Sequence, residues 1–170
     1  MSLDKSDYFS LFGLPKIFTL NNSALKSRYY QLQQAVHPDK FVNSANTEKK
    51  AALLQSATIN EAYQVLCSPL KRAIYLLTLQ GVDIQSEIDT ALDTAFLDEQ
   101  FALRERMAEG EYKAIYDVVS NTLKEYENKL SQILDNTTLS QDALEKARQI
   151  VRKMQFYDHL SQDLQEQQEI

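Results

Sequence analysis

The stretch that decides the fold is residues 25–40, LKSRYYQLQQAVHPDK. Its apolar residues recur at the 3.6-residue period of one helix face, at Leu25, Tyr29, Leu32 and Val36. Asn21 or Asn22 supplies a side chain suited to capping the first turn of this helix. The helix must end before Pro38, because proline disfavours the helical conformation in the residue that precedes it. The stretch therefore predicts a helix followed by a loop that begins at His37.

Helices are also predicted on both sides of this stretch. Upstream, a short helix over residues 7–12 ends at Gly13, since glycine tolerates the left-handed backbone of a helix end. A third helix, from about Thr47 to Cys67, has one apolar face that contains Ala52, Ile59, Ala62, Tyr63 and Leu66. A fourth helix follows over residues 70–79. The first eighty residues thus form one helical domain.

Three longer helices are predicted beyond Gly81. The first runs from about Ser86 to Ala108, and Gly110 separates it from the second. Thr138 and the residue three positions later, Gln141, resemble a capping box that opens the last helix. Antiparallel helices joined by short loops form a bundle. The fold class is therefore all-α, with domains over 1–80 and 81–170, the second being a three-helix bundle.

Composition and charge narrow the function classes. The net charge of −6 divides into +4 over residues 1–80 and −10 over residues 81–170, which suggests two surfaces with different partners. A charge of +4 is weak beside the basic stripes of nucleic-acid binders. The N-terminus is polar and no apolar stretch is long enough to span a membrane, while the single Cys67 fits a reducing compartment. We expect a cytoplasmic protein that binds neither nucleic acid nor membrane.

Catalytic and metal-binding patterns are missing from the sequence. The only two histidines, His37 and His159, are far apart in the chain, and nothing pairs either with a nucleophile. The three glycines stand alone, so they form no phosphate-binding loop, and no group of four metal ligands is recognisable. We expect a protein that is not an enzyme, with no catalytic residue, cofactor or metal.

The loop and its neighbours resemble a J domain. The tripeptide at 37–39 alone would suit an ordinary helix-ending turn. Its context is more specific: residues 11–15 (LFGLP) precede the basic second helix, and residues 59–66 (INEAYQVL) with the Ser-Pro pair at 68–69 follow the loop. The order and spacing of these segments are those of a J domain. Val36 stands where many J domains have Tyr, and we expect this position to face the core.

Residues 72–77 (RAIYLL) and 93–97 (DTAFL) extend the resemblance to the HscB family of co-chaperones for iron–sulfur cluster assembly. The resemblance implies that the J domain docks on a DnaK-like chaperone, HscA, and stimulates its ATP hydrolysis. It also implies that the C-terminal bundle delivers the scaffold protein IscU. Eukaryotic relatives add a Cys-rich metal-binding segment at the N-terminus. This sequence shows no such Cys-rich segment, so it looks like the bacterial form.

The residues expected to bind the chaperone lie in and before the loop. His37, Pro38 and Asp39 correspond directly to the family's tripeptide, and they offer a carboxylate beside a rigid proline that suits a charge-assisted bond to an arginine. Lys26, Arg28 and Lys40 are expected to steer this surface toward an acidic partner.

A second surface is indicated by the helical wheel of residues 86–108. Leu92, Phe96, Leu103 and Met107 share a face that suits the bundle core, but Leu97 and Phe101 lie on nearly the opposite side. In the last helix a core stripe contains Ala147, Ile150, Val151 and Met154, and Phe156 points away from it. Apolar residues outside the core are typical of a partner surface, although they could also pack on the other domain or stand exposed singly.

By resemblance, the scaffold-binding patch consists of Leu97, Phe101, Glu105 and Phe156. The sequence departs from relatives at Asp98 and Ala102, where they often carry an apolar residue and a Glu.

Two alternatives remain open from the sequence. The chain could be a general J-domain adaptor for a different client, or a helical nucleic-acid binder that uses its basic half. Loss of scaffold binding on changing Phe101 or Phe156 would favour the scaffold over another client. Steeply salt-dependent binding of nucleic acid would favour the nucleic-acid binder.

Overall fold

The computed structural model describes residues 7–41, 44–84 and 94–168. These residues form helices and no strand. The seven α-helices are α1 (Tyr8–Phe12), α2 (Asn22–Ala35), α3 (Asn46–Cys67), α4 (Pro69–Leu79), α5 (Thr94–Ala108), α6 (Tyr112–Leu134) and α7 (Gln141–Gln168), with a 3₁₀ turn at Pro38–Phe41. The prediction of an all-α fold is confirmed. The first residues of the predicted helix over 86–108, including Leu92, lie outside the described residues.

The helix ends follow from local chemistry. Asp7 caps α1 by accepting the Ser10 N–H, and α1 ends at Gly13, whose φ of 64° is left-handed. The side chain of Asn21 accepts the Ala24 N–H and caps α2, as one of the two predicted asparagines. The predicted capping box at Thr138 is wrong, because Ser140 directly precedes α7 and its hydroxyl accepts the Ala143 N–H at 3.2 Å.

The chain forms two compact units, residues 1–76 and 77–170, and the division falls within α4. The core of the first unit is apolar and comes from all four of its helices and the loop after α1; it includes Phe9, Phe12, Phe18, Leu25, Ile59, Ala62, Leu66 and Ala73. The core of the second unit is shared by α5, α6 and α7 and contains Phe96, Leu103, Ile115, Val119, Tyr157, Leu160 and Leu164. In the part of the chain that the structure describes, no helix is both long and apolar enough to cross a bilayer.

A buried arginine organises the first unit. Arg72 is 5% exposed, and its Nε donates to the Leu66 carbonyl at 2.8 Å. Its Nη1 donates to the Phe18 carbonyl, and its guanidinium lies 5.5 Å from the centre of the Phe18 ring. The arginine therefore ties the loop after α1 and the end of α3 to α4.

Replacing Arg72 with Met is expected to destabilise the first unit by about 2–6 kcal/mol, because it removes the side-chain donors from two buried carbonyls, at about 1–3 kcal/mol each. Urea denaturation followed by circular dichroism measures this change. Lys71→Met on the exposed side of the same helix is the matched control and should leave the midpoint nearly unchanged. Equal midpoints for the two variants would contradict the assigned role of the arginine.

Candidate functional sites

The turn between α2 and α3 is attached to the core at one residue, and the residues that follow it are exposed to solvent. Val36, only 8% exposed, ends α2 and packs in the core, as predicted. The turn that follows is closed by the Lys40 N–H, which donates to the His37 carbonyl at 3.0 Å. His37, Pro38, Asp39 and Lys40 are all exposed. The turn is therefore closed by a backbone hydrogen bond, and its polar side chains face the solvent.

The side chains of His37 and Asp39 are arranged relative to each other. The backbone N–H of Asp39 donates to Nδ1 of His37 at 3.3 Å, so the neutral imidazole carries its proton on Nε2. Oδ2 of Asp39 lies 3.5 Å from the same Nδ1, and the two side chains are 58% and 86% exposed for His37 and Asp39 respectively. The turn thus presents a ring N–H donor and a carboxylate acceptor together to any partner that approaches.

The helices on both sides of the turn are joined by a polar clamp, which we define as Tyr29 and Gln33 of α2 with Ser56 and Asn60 of α3. Tyr29 donates to the Asn60 side chain at 2.9 Å, and Gln33 donates to the same oxygen at 2.6 Å. The Ser56 hydroxyl donates to Gln33 at 3.0 Å. Since Tyr29 pairs with Asn60 and Gln33 with Ser56, α2 and α3 run antiparallel. The clamp fixes the helix pair that carries the turn.

Sequence reasoning missed three members of this clamp: Gln33, Ser56 and Asn60. A signal was present, because residues 29 and 33 lie four apart on α2 and residues 56 and 60 lie four apart on α3, so each pair shares a helix face. The predicted steering residues Lys26 and Arg28 are exposed on α2, and Arg28 donates to Gln31 at 3.2 Å.

The second predicted surface lies on α5 and α7. Phe101 is 69% exposed and Glu105 is exposed, while Leu97 and Phe156 are half-buried. On the other face of α5, Phe96 and Leu103 are each 4% exposed, as the helical wheel predicted. Phe101 is the most exposed large apolar side chain of the described residues, and such exposure is typical of a partner surface.

The prediction that Phe156 points away from the core is wrong. Its ring packs against the bundle core, 5.8 Å from the ring of Phe96 and 5.2 Å from the ring of Tyr157. The guanidinium of Arg104 lies 5.7 Å from the centre of the Phe156 ring. Phe156 therefore both supports α5 from within and contributes a partly exposed edge to the surface.

A buried tyrosine anchors α5 on α7. Tyr157 is fully buried, and its hydroxyl donates to Oε1 of Glu99 at 2.6 Å. Burial, the hydrogen bond to Glu99 and the nearby charge of Glu99 raise the pKa of Tyr157 well above its usual range. Burial also raises the pKa of Tyr126, whose ring lies 5.7 Å from that of Tyr157. These contacts fix the helix that carries Phe101.

Replacing Tyr157 with Phe is expected to lower the stability of the second unit by about 1.5–3 kcal/mol at pH 7, the range for a hydrogen bond to a charged group. The pKa of Tyr157 is raised by folding, so wild-type stability falls as pH rises above about 10, where the unfolded phenol ionises. In Tyr157→Phe, stability should fall less steeply as pH rises through this range. Chemical denaturation at pH 7 and pH 10.5 measures both effects, and Tyr116→Phe, at an exposed tyrosine, is the control. If the free energy of unfolding of Tyr157→Phe changed with pH as it does in the wild type, the role assigned to the Tyr157 hydroxyl would be contradicted.

Within residues 7–41, 44–84 and 94–168, no three His, Cys, Asp or Glu residues are grouped so that they could hold a metal ion.

The chain is similar to known proteins in both of its units. Residues 7–75 match the model of the DnaJ domain, and residues 92–165 match the model of the HSCB C-terminal oligomerisation domain. The fold is similar to that of chaperone HscB from Vibrio cholerae, at 33% identity and a TM-score of 0.82, covering 96% of this chain and 98% of that one. Human co-chaperone protein HscB is also 33% identical, with a TM-score of 0.87 and coverage of 96% and 83%. The Jac1 co-chaperone from Saccharomyces cerevisiae shares the fold at 23% identity, a TM-score of 0.73 and coverage of 95% and 94%.

The chain has an open turn on a clamped helix pair, followed by a helical C-terminal unit, and this arrangement is that of a J-domain co-chaperone. Proteins of this class act on a partner chaperone rather than as enzymes. With these similarities across nearly its whole length, the chain belongs to the HscB family, the J-domain co-chaperones of iron–sulfur cluster assembly.

Proposed function

We propose that this chain stimulates the ATPase of a DnaK-like chaperone, HscA, and delivers the iron–sulfur scaffold protein IscU to it. The single observation that carries the proposal is the turn at His37–Asp39, which is rigidly supported by Val36 and the polar clamp yet exposed at every polar side chain. A turn that had to be opened before binding would have its imidazole or carboxylate packed inside the molecule.

The two units have separate tasks in this proposal. The J domain over residues 1–80 engages the chaperone through His37, Pro38 and Asp39, with Lys26, Arg28 and Lys40 guiding the encounter by their charge. The bundle over residues 81–170 holds the scaffold at Leu97, Phe101, Glu105 and Phe156. The exposed Phe101 ring is the type of residue that dominates binding energy when a partner covers it.

The test is the steady-state ATPase rate of the cognate chaperone, measured with this chain alone, with the scaffold alone and with both together. The proposal expects stimulation by the chain and a greater rate when the scaffold is added. Stimulation by the chain with no additional effect of the scaffold would instead favour a general J-domain adaptor for another client. No stimulation in any combination would refute the proposed function.

A further inference from the structure

A groove runs between α6 and α7, in the half of this helix pair that is nearer to its connecting loop. It has a volume of about 420 Å³, within the range of about 300–1,000 Å³ found for binding pockets. The residues that line it include one tyrosine, two isoleucines and three lysines: Tyr126, Ile133, Ile150, Lys129, Lys146 and Lys153. A second cavity of about 540 Å³ adjoins it toward the loop, and the two share Ile133 and Lys146. The groove is therefore long enough to take an extended or helical segment of another molecule.

The groove continues the cleft in which α5 packs. Residues seven apart lie on nearly the same side of a helix. On α6, Val119 belongs to the core cluster that includes α5, Tyr126 packs against it, and Ile133 comes seven residues later. On α7, Tyr157 belongs to the cluster, and Ile150 comes seven residues before it. Val119 and Tyr157 are fully buried, whereas Ile133 and Ile150 are only half-buried. The apolar stripe of both helices thus extends past α5 and is incompletely covered there.

Positive charge is concentrated at this groove. Three of the nine Lys and Arg residues of 81–170 line it, although that half of the chain has a net charge of −10. Lys146 and Lys153 are two turns apart on α7, about 10 Å along the helix axis, and Lys129 belongs to the wall formed by α6. Among the described residues of the lining there is no carboxylate. Glu125 lies 3.9 Å from Lys129, and both of these side chains are more than half exposed. Lysines spaced in this way suit carboxylates distributed along a segment better than one compact anion.

The groove is also continuous with the proposed scaffold-binding patch. Nζ of Lys153 lies 5.1 Å from the centre of the Phe96 ring. The ring of Phe156, a member of the patch, lies 5.8 Å from the same Phe96 ring. Lys153 and Phe156 are three residues apart on α7, about 5 Å along the helix axis. A partner that covers Phe156 therefore meets the first lysine of the groove within one helical turn.

We propose that this groove binds an acidic segment of the scaffold protein, with aliphatic side chains between its carboxylates. The inference rests on the proposed function and extends the scaffold-binding surface from α5 onto α6 and α7. The carboxylates pair with Lys129 and Lys146, and the aliphatic side chains cover Ile133 and Ile150. The groove thereby fixes the orientation of a scaffold held at Phe101, because complementary charges set register and specificity. A nucleic acid is disfavoured, since the other charges of this strongly acidic half repel its phosphates.

The test is isothermal titration calorimetry of scaffold binding at two salt concentrations. Lys129→Glu, Lys146→Glu should raise the dissociation constant about tenfold at about 0.01 M salt. The increase should be smaller at about 0.15 M, because the Debye length falls from about 30 Å to about 8 Å. Lys129→Arg, Lys146→Arg retains both charges and should bind as wild type. The matched control is Lys113→Glu, Lys124→Glu, which changes the net charge equally at two exposed positions of α6 outside the groove lining and should have a much smaller effect.

Failure of the inference is distinguishable from failure of the proposed function. If the two Glu double variants bind the scaffold equally well, the groove assignment is overturned, while weaker binding by Phe101→Ala still supports scaffold delivery. A wild-type chain that does not bind the scaffold would refute the proposed function itself.

Other occupants of the groove give different results. Thermal denaturation in which Lys129→Glu, Lys146→Glu loses stability but keeps its scaffold affinity would assign the lysines to contacts within the chain. A dimer in sedimentation that the same variant dissociates would assign the groove to a second copy. Steeply salt-dependent binding of a single-stranded oligonucleotide, lost in the variant, would make the groove a nucleic-acid site. Each of these three results would overturn the proposal.

Discussion

Replacing His37 with Gln is expected to reduce the stimulated ATPase rate of the chaperone to its basal rate while the fold is unchanged. The imidazole Nδ1 accepts the Asp39 N–H at 3.3 Å, so the ring and the carboxylate are positioned together. A glutamine amide has no ring and cannot reproduce this arrangement. The imidazole side chain is 58% exposed, so its removal costs the core little. Steady-state ATPase assays at saturating co-chaperone measure the effect.

The matched control for this variant is Gln64→Ala, at an exposed position of α3 away from the turn. Its stimulation and its thermal midpoint should both equal those of the wild type. If His37→Gln keeps the wild-type maximal stimulation, the turn is not the trigger, and the assignment of the chaperone surface fails. If instead its far-ultraviolet circular dichroism changes, the histidine has a structural role that the exposed ring does not indicate.

The first unit was the more predictable one because backbone rules set its boundaries. Pro38 disfavours the helical conformation in His37, the residue directly before it, and Gly13 permits the left-handed end of α1. Both effects act within a few residues of the chain. The periodic apolar face of α3 likewise became the buried face, with Tyr63 at its edge, half-buried and stacked 4.2 Å from Tyr29. Such local rules are readable from sequence, because they need no knowledge of what lies opposite.

Contacts between distant segments were not predictable in the same way. The sequence shows Arg72 only as part of a segment typical of the family, whereas its structural role depends on the Phe18 carbonyl, 54 positions away. The clamp at Gln33, Ser56 and Asn60 depends equally on the pairing of α2 with α3. Buried polar groups must find partners, but a single sequence does not reveal which ones.

The wrong prediction for Phe156 has a geometric cause. A helical wheel assigns each residue one direction, while a long aromatic side chain on a three-helix bundle reaches sideways into the space between helices. Phe156 lies beside the buried stripe of α7, and its ring reaches Phe96 on α5. The wheel correctly separated Phe96 from Phe101, because those two residues are far apart around α5. It is least reliable for aromatic residues at the edge of the buried face.

Replacing Phe101 with Ala is expected to weaken scaffold binding about thirtyfold, the effect of about 2 kcal/mol at a central aromatic contact. The ring is 69% exposed in the free chain, so its loss should leave the stability of the bundle nearly unchanged. Phe156→Ala would be a poorer probe, because it removes ring contacts with Phe96 and Tyr157 as well as any contact with the scaffold. Isothermal titration calorimetry with the purified scaffold protein measures the dissociation constants.

Val118→Ala is the matched control for Phe101→Ala, since Val118 lies on α6 of the same unit and is 38% exposed. It should bind the scaffold as wild type does. The ATPase assay adds a second condition, because Phe101→Ala should still stimulate the chaperone fully when no scaffold is present. An unchanged dissociation constant would remove Phe101 from the client surface, whereas loss of scaffold-free stimulation would show that the two units do not divide the tasks. Only weaker scaffold binding with intact stimulation agrees with a bundle that holds the client and a J domain that acts on the chaperone.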